Sequence, residues 1–172
     1  RFYKSDKPKP NVPKDRFIVN DWNKQPDFTP QKESDGLKFL GNDYYGGDLK
    51  GIQKKLPYLN KLGVNCIYLN PIFEAHSNHR YNTADYSKID PLLGDENDFK
   101  ELCKEAEKLG IKVILDLVFM HIGPNAPVIH EHPEFIKRDA EGNMILGGWN
   151  FPLFNFDNNG CCEYLWSNMV FY

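Results

Sequence analysis

Long hydrophobic runs are absent from this sequence. No apolar stretch approaches the roughly 20 residues that a membrane-spanning helix needs, so neither a membrane span nor a membrane partner is expected. The opening stretch, RFYKSDKPKPNVPKDRF, is polar and has the pattern of neither a signal peptide nor a transit peptide. We therefore expect the chain to be an interior segment of a longer protein, whose compartment and oligomeric state stay open.

Cysteine is scarce, and there is no large excess of charge of one sign. The four cysteines form no CxxC pair, so a zinc site is not expected; Cys66 in a strand-like run and Cys103 on an apolar helical face favour buried free thiols. The formal net charge is -3 and the lysines are scattered. Without a basic stripe, nucleic acid is not an expected partner.

The overall composition is that of a globular chain. Hydrophobic residues make up 41% and charged residues 26%, a balance that supports a packed core, and the length predicts one domain. Residues 1–45 are polar and rich in proline, which predicts mostly loop with one short strand in RFIVNDW. These prolines are Pro8, Pro10, Pro13, Pro26 and Pro30.

Two similar units follow this loop region. Apolar residues recur every three or four positions after Asp48, which predicts a helix capped by Asp48 and closed by Gly63; the strand-like run VNCIYLNPIF comes next. The second helix begins after Asp95 and is closed by Gly110, and IKVILDLVF is the second strand. A repeated helix, glycine and apolar strand predicts βα units in a parallel sheet.

Each predicted strand is followed by a long polar loop, the first being EAHSNHRYNTADYSKIDP. In parallel α/β folds ligands collect at the carboxyl ends of the strands, so these loops are the expected location of a site. The chain finishes with a predicted helix in CCEYLWSNMVFY. Its expected apolar face is Cys162, Leu165, Trp166 and Met169.

The segment DLVFMH, residues 116–121, places an ionisable side chain in an apolar run. A carboxylate there is costly unless it is paired, so one interpretation is that Asp116 is satisfied by backbone N–H groups or by a neighbouring arginine. The other interpretation is that Asp116 belongs to a site together with His121. In a continuous strand the two side chains would point to opposite faces, so they meet only if the strand ends near Phe119 and the chain turns.

DLVFMH resembles the first signature segment, Asp-x-Val-x-Asn-His, of the α-amylase family, glycoside hydrolase family 13. The stretch from YYGGDLKG to RYNTADY is similar to the approach to, and the loop after, the second barrel strand of that family. FPLFNFDN is similar to the Met-Pro-Lys-Leu-Asn segment of the neopullulanase and cyclomaltodextrinase branch. The resemblance extends from about Asp43 to Tyr172.

The resemblance implies a (β/α)8 TIM barrel of which this chain is a part. Residues 1–121 would contain the second and third βα units, with 1–45 mostly loop. Residues 122–158 would begin the loop domain inserted after the third strand, and residues 159–172 would return to the barrel as a helix.

The implied activity is retaining hydrolysis of α-glucans or maltooligosaccharides with α-1,4 and α-1,6 linkages. Tyr81 matches the tyrosine that stacks under the sugar at the cleavage subsite, and His121 matches a histidine that hydrogen-bonds that sugar. His79 lies at a neighbouring family position. Asp116 matches a carboxylate that helps to hold the catalytic arginine.

Calcium is a cofactor of many members of this family, and whether this chain can bind it depends on the ligands present. Many family members have a calcium-binding asparagine where Met120 stands, and a thioether is a poor ligand for this cation. The remaining candidate ligands are the Gly46 carbonyl, the Asp48 carboxylate and Asn155. Helix capping is the simpler role for Asp48.

The family's catalytic segments, an Arg-x-Asp, a later Glu and a His-Asp pair, do not occur in this sequence. No catalytic carboxylate is assigned, and this chain alone is expected to be inactive. One alternative is an exo-acting α-glucosidase or a glucan isomerase of the same fold. Another is a non-catalytic, carbohydrate-binding relative.

Overall fold

The computed structural model describes residues 2–9, 16–25, 31–32, 38–39 and 43–172. The strands are β1 (Phe17–Ile18), β2 (Gln31–Lys32), β3 (Lys38–Phe39), β4 (Asp43–Tyr44), β5 (Cys66–Leu69), β6 (Phe73–Ala75), β7 (Thr83–Ile89) and β8 (Lys112–Leu115). The α-helices are α1 (Leu49–Lys61), α2 (Glu96–Lys108), α3 (Val128–Glu131) and α4 (Asn159–Phe171). Short 3₁₀ helices cover Pro133–Phe135 and Gly148–Asn150.

The two predicted helices form with the predicted caps. The Asp48 carboxylate accepts from the Gly51 N–H at 2.7 Å at the start of α1, and Gly63, at a φ of +81°, follows its end. The Asp95 carboxylate caps α2 and accepts from the Asp98 N–H, while the Asp98 carboxylate accepts from the Asp95 N–H. This reciprocal capping box satisfies two N–H groups that lack a partner within the helix.

The predicted parallel pairing is also present. β5 and β8 pair in parallel from Cys66 opposite Lys112 to Leu69 opposite Leu115. Helices α1 and α2 lie against each other, and α2 packs on β8. Buried residues of these helices and strands form the central part of the core: Leu49, Leu56, Leu69, Phe99, Leu102, Ala106 and Ile111.

The first 45 residues contain little regular structure where they are described. Strand β1 lies within RFIVNDW, as predicted, and pairs in parallel with β4, while β2 and β3 form an antiparallel pair. Over the described residues, no helix has both the length and the apolar character required to cross a membrane.

The polar segment 74–91 is more ordered than its composition predicts. It contains β7 and the end of β6, which pair antiparallel, so the prediction of a continuous loop was wrong here. Thr83, Tyr86 and Ile89 of β7 are buried. The polar residues between them reduce the hydrophobic signal, but the β-branched and aromatic residues that remain are those that favour strands.

The apolar face predicted for α4 was wrong at three of its four residues, all except Leu165. Cys161 and Leu165 are its buried residues, whereas Cys162, Trp166 and Met169 are exposed. The helix carries apolar residues around most of its circumference, so its pattern selects no single face. All four cysteines are free, as expected, but Cys66 and Cys162 are exposed rather than buried.

Residues after β8 fold back on themselves before α4 begins. The Ile122 N–H donates to the Pro152 carbonyl at 3.0 Å, and the Phe154 N–H donates to the Met120 carbonyl at 3.2 Å. Ile122 and Phe154 are fully buried within the core. This packing places Phe151 and Leu153 beside His121, at the carboxyl end of the parallel pair.

Candidate functional site

Tyr81, Asp116 and His121 meet near the carboxyl ends of β5 and β8. The Tyr81 hydroxyl donates to the Asp116 carboxylate at 2.7 Å. His121 Nε2 lies 2.9 Å from the Tyr81 carbonyl oxygen. A carbonyl only accepts, so Nε2 carries a proton and donates to it.

The end of β8 explains how Asp116 and His121 come together. The strand stops at Leu115, one residue before Asp116, and the Asp116 N–H continues the pairing by donating to the Leu69 carbonyl at 2.9 Å. The chain then turns, and His121 pairs with Leu153 in an antiparallel bridge. The turn that a shared site requires is therefore present, and it begins earlier than Phe119.

His79 joins the cluster through the backbone of Tyr81. The Tyr81 N–H donates to His79 Nδ1 at 3.1 Å, and the two ring centroids are 5.9 Å apart. Desolvation by the surrounding atoms and the positive charge of Arg80 lower the pKa of His79. Both observations favour a neutral imidazole with its proton on Nε2, the nitrogen that can then donate.

The carboxylate of Asp116 contributes to a raised pKa in both nearby phenols. Its hydrogen bond with Tyr81 is the main reason why the pKa of that phenol is raised. Tyr68, on β5, also has a raised pKa, through desolvation and a hydrogen bond with Asp116. Sequence reasoning missed Tyr68, although its place beside the buried Leu69 puts it on the opposite face of the strand.

A buried ion pair holds the loop that carries His79 and Tyr81. Arg80 Nε donates to the Asp90 carboxylate at 2.6 Å, and another Arg80 nitrogen donates to the Asn78 carbonyl at 2.8 Å. Arg80 has a φ of +62°, an unusual conformation for a residue with a side chain. Sequence reasoning did not single out this pair; the signal was an arginine within the loop motif NHRYNTADY.

An arginine partner for Asp116 was expected from the resemblance. In the part of the chain that the structure describes, the recorded side-chain partners of Asp116 are the phenols of Tyr81 and Tyr68. The carboxylate at this position is thus hydrogen-bonded by hydroxyl donors and is half-buried. Its charge stays available to orient a cation or a sugar hydroxyl at the same edge.

Asp48, one of the predicted calcium ligands, has the capping role that was its simpler interpretation. Its buried carboxylate accepts from Gly51 N and from Ser5 Oγ, each at 2.7 Å, and forms an ion pair with Lys9. Lys9 Nζ also donates to the Leu92 carbonyl at 3.1 Å. An ammonium group therefore already occupies the position that a cation would take beside this carboxylate, so the residues do not fit a calcium ion.

Gly46 and Asn155 do not complete a calcium site either. The Lys4 side chain lies 3.4 Å from where a Cβ would stand at Gly46, whose φ is +73°, so a second lysine approaches this corner. The Asn155 side chain donates to the Glu134 carbonyl and accepts from the Asp157 N–H, both at 3.3 Å. Among the residues described, no three His, Cys, Asp or Glu side chains converge to hold a metal ion.

The site as a whole combines an exposed aromatic ring with directed polar groups. The Tyr81 ring is partly exposed, and the imidazole of His121 packs on Phe151 with their ring centroids 5.0 Å apart. Such an arrangement can stack against the apolar face of a sugar and hydrogen-bond its hydroxyls. The described residues of this cluster offer one carboxylate, whereas retaining glycoside hydrolysis uses two about 5 Å apart.

Sequence comparison supplies a family for this arrangement. Residues 1–141 match the model of the α-amylase family, described as the alpha amylase catalytic domain. The amylopullulanase of Thermoanaerobacterium saccharolyticum is 42% identical over 86% of this chain. Neopullulanase 2 of Thermoactinomyces vulgaris is 47% identical over 63% of it. The chain spans 12% and 18% of the lengths of these two relatives.

Structural comparison points to the same fold. A cyclic α-maltosyl-(1→6)-maltose hydrolase from Arthrobacter globiformis, solved with cyclic α-maltosyl-(1→6)-maltose, matches with a TM-score of 0.73 at 26% identity. The match covers 99% of this chain and 39% of the hydrolase. The fold described above is thus similar to part of an α-amylase-type barrel protein.

Proposed function

This chain belongs to the α-amylase family, and on that premise we propose that it is a segment of a longer retaining hydrolase of α-1,4- and α-1,6-linked glucans. Within that protein, residues 1–121 form the second and third βα units of the barrel. Residues 122–158 begin the inserted loop domain, and residues 159–172 return to the barrel as a helix. Catalytic carboxylates are supplied by other parts of the protein.

One observation carries the proposal: the 2.7 Å hydrogen bond between Tyr81 and Asp116, with His121 bonded to the same tyrosine. This cluster stands at the carboxyl ends of two parallel strands, where ligands bind in barrels. Packing alone does not require an exposed aromatic ring that is held at both its hydroxyl and its backbone.

Tyr81 acts as the platform under the reacting sugar. Its hydroxyl is anchored by Asp116, so the ring keeps one orientation and loses little further freedom when a sugar stacks on it. Asp116 is a positioning residue, since it acts through the tyrosine and through any cation beside it. A fixed platform favours a sugar that is distorted toward the transition state, and its loss lowers turnover.

The two histidines are hydrogen-bonding partners for the sugar hydroxyls. His121 donates from Nε2–H to the Tyr81 carbonyl, which leaves Nδ1 on the other edge of the ring for a sugar hydroxyl. His79 Nδ1 accepts a hydrogen bond from the Tyr81 N–H, which leaves Nε2–H as a donor. The pair thus presents one acceptor and one donor on either side of Tyr81.

Substitution of Tyr81 in the complete protein tests this function. With pullulan and soluble starch as substrates, we expect Tyr81→Ala to lower kcat about 100-fold, which corresponds to about 2.7 kcal/mol, with a smaller effect on KM. Tyr81→Phe keeps the ring but loses the anchor on Asp116, so an intermediate loss is expected. Tyr58→Ala, a change of an exposed tyrosine on α1, is the matched control and leaves kcat unchanged.

Other outcomes separate the remaining functions. Release of glucose alone from chain ends would favour an exo-acting α-glucosidase, and isomerised products without hydrolysis would favour a glucan isomerase. Binding of maltooligosaccharides without turnover in the unmodified protein would favour the non-catalytic relative. Unchanged kcat in Tyr81→Ala, with a lower melting temperature, would show that Tyr81 only packs.

A further inference from the structure

We propose that Trp149 is a second sugar platform, which binds an α-glucan residue beyond the one held by Tyr81 and so favours long chains over short ones. This inference rests on the proposed function and adds a second contact for the same substrate. It rests on the exposure of the indole, on the backbone that carries it and on the ring contact that joins its loop to His121.

The indole of Trp149 is left almost entirely in water. The residue is 89% exposed, although tryptophan is usually well buried and contributes its large apolar surface to a core or an interface. The inner side of the loop that carries it is packed, since Phe151 contacts His121 and Pro152 is buried. Gly148 and Asn150 on either side are exposed as well, so the whole tip of the loop, with its indole, lies in water.

The backbone at the tip is held in an unfavourable conformation. Trp149 and Asn150 have φ values of +63° and +60°, in the left-handed region that bulky side chains rarely adopt. Strain of this kind clusters at functional sites, where the surrounding structure keeps it in place. A glycine at position 149 would remove this strain. The packing of the described residues gives no reason for a tryptophan at this position.

The loop is closed tightly enough to keep the indole in place. The Gly147 N–H donates to the Phe151 carbonyl at 2.8 Å, which ties the two ends of the tip together. A Cβ at Gly147 would lie 2.6 Å from Leu153 Cδ2, so the base of the loop has little spare space. A platform on a closed loop is preorganised and loses less entropy on binding.

The position of the tip joins it to the cluster around Tyr81. Phe151 contacts His121, which in turn bonds Tyr81. Trp149 precedes Phe151 by two residues, a backbone distance of at most about 7 Å. We therefore place the indole within reach of a maltooligosaccharide that has one ring on Tyr81 and extends past His121.

The chemistry of the indole selects an α-glucan residue as its ligand. A glucose ring has an apolar face of C–H groups that stacks on a flat aromatic surface, and a rim of hydroxyls that remain in water. Trp149 is a flat surface with solvent all around it, which suits this ligand better than an apolar one that would need to be enclosed. The neighbouring residues along the chain, 147–148 and 150–151, carry no charge that would favour a charged ligand instead.

The test compares Trp149→Gly with the unmodified complete protein, with maltoheptaose and maltotriose as the probes. Glycine removes the ring and relieves the left-handed strain, so the melting temperature stays equal or rises while binding weakens. We expect Kd and KM for maltoheptaose to rise about tenfold, the loss typical when an aromatic hot spot is removed. Maltotriose, which fills the Tyr81 region alone, is affected much less.

Gly148→Ala is the matched control in the same loop. A Cβ at this glycine meets nothing within 4 Å, so the change alters the loop without touching the indole, and both ligands bind as before. Equal loss of affinity in this variant, or unchanged maltoheptaose binding in Trp149→Gly, would overturn the inference.

Intrinsic fluorescence separates this inference from the proposed function. Maltoheptaose shifts the emission of an exposed tryptophan toward the blue when it covers the ring, and this shift disappears in Trp149→Gly. If the protein hydrolyses glucans but shows no Trp149 effect, the platform is wrong and the proposed function stands. If it hydrolyses none but the shift and the affinity loss are seen, the platform stands and the proposed function fails.

Discussion

At the level of single residues, the site depends on how each polar atom is already occupied. Asp116 accepts from the Tyr81 hydroxyl at 2.7 Å, the Tyr81 carbonyl accepts from His121, and the Tyr81 N–H donates to His79. Every hydrogen-bonding group of Tyr81 therefore has a partner, which fixes its ring. The same bonds determine which nitrogen of each histidine stays available.

The lowered pKa of His79 leads to a prediction about pH. Because the folded state disfavours protonation, the unfolded chain binds more protons, and stability must rise with pH. The contribution of His79 is complete above the unfolded pKa of about 6.5 and is lost as the pH falls through that value toward the lower folded pKa. In His79→Asn, which keeps an acceptor for the Tyr81 N–H, this loss is absent.

Urea unfolding at a series of pH values from about 8 down to about 5, on either side of the unfolded histidine pKa, measures the difference. The other histidines are common to both proteins, so subtracting the two curves isolates His79. The unmodified protein should lose more stability on acidification than His79→Asn. Parallel curves would show that His79 titrates alike in the folded and unfolded chains.

At the level of elements, the N-terminal caps of helices α1 and α2 have the same role in different surroundings. Asp48 and Asp95 each accept from the backbone of the first helical turn. Asp48 is buried and paired with Lys9, whereas the Asp95 side chain is 58% exposed and paired with Lys7. Burial raises the pKa of Asp48, but hydrogen bonds from Lys9, Ser5 and Gly51 outweigh this and lower it.

Alanine at the two caps should therefore differ in cost. Asp95→Ala loses a cap, worth about 1 kcal/mol of unfolding free energy. Asp48→Ala also leaves the ammonium of Lys9 without its carboxylate in a mostly buried corner, and we expect a loss of about 3 kcal/mol. Denaturant titration of each variant at pH 7 gives both numbers.

Asp48→Asn is the control that separates the cap from the charge. Its amide oxygen still accepts from Gly51, so its cost should fall between those of the two alanine variants. Added calcium should stabilise none of these proteins through this corner, since Lys9 takes the position of a cation. An equal loss for Asp48→Ala and Asp95→Ala would refute the importance of the ion pair.

At the level of the whole molecule, several apolar surfaces of the described fold lack a covering layer. Tyr68 on β5 and Ile114 on β8 are 60% and 48% exposed, although parallel strands are normally covered on both faces. Helix α4 also presents an apolar surface to water, formed by Trp166, Met169, Val170 and Phe171. Contiguous exposed apolar surfaces of this kind mark contacts with further protein, whereas a single exposed ring such as Trp149 does not.

The isolated 172-residue chain should consequently self-associate and should hydrolyse no α-glucan. We expect it to bind a hydrophobic dye and to form assemblies that sediment at concentrations of about 10 to 100 µM, the range in which exposed apolar surfaces and open strand edges aggregate. Starch assays on the same sample test activity. A double variant, Val170→Lys with Phe171→Lys, reduces the exposed apolar area and should self-associate less.

A monodisperse chain without dye binding would contradict this account of the uncovered faces. Measurable hydrolysis by the isolated chain would instead contradict the assignment of the catalytic carboxylates to other parts of the protein. The two readouts are independent, so each conclusion can fail without the other.

Local sequence was sufficient for the regular elements. The caps at Asp48 and Asp95, the apolar spacing of α1 and α2 and the two strand-like runs predicted these helices and their parallel strands correctly, because each signal arises from residues within a few positions of one another. The family resemblance carried by DLVFMH is confirmed by the match over residues 1–141. The roles given to the site residues stay predictions.

Pairing and exposure were decided by the tertiary structure. The antiparallel pair β6 and β7, the buried face of α4 and the bond of Arg80 to Asp90 each depend on which distant segment packs against which. The site is the clearest case, since Tyr81 precedes Asp116 by 35 positions and His121 by 40. Periodicity and capping act over a few residues and determine the elements, whereas contacts across such separations form only when the whole core closes.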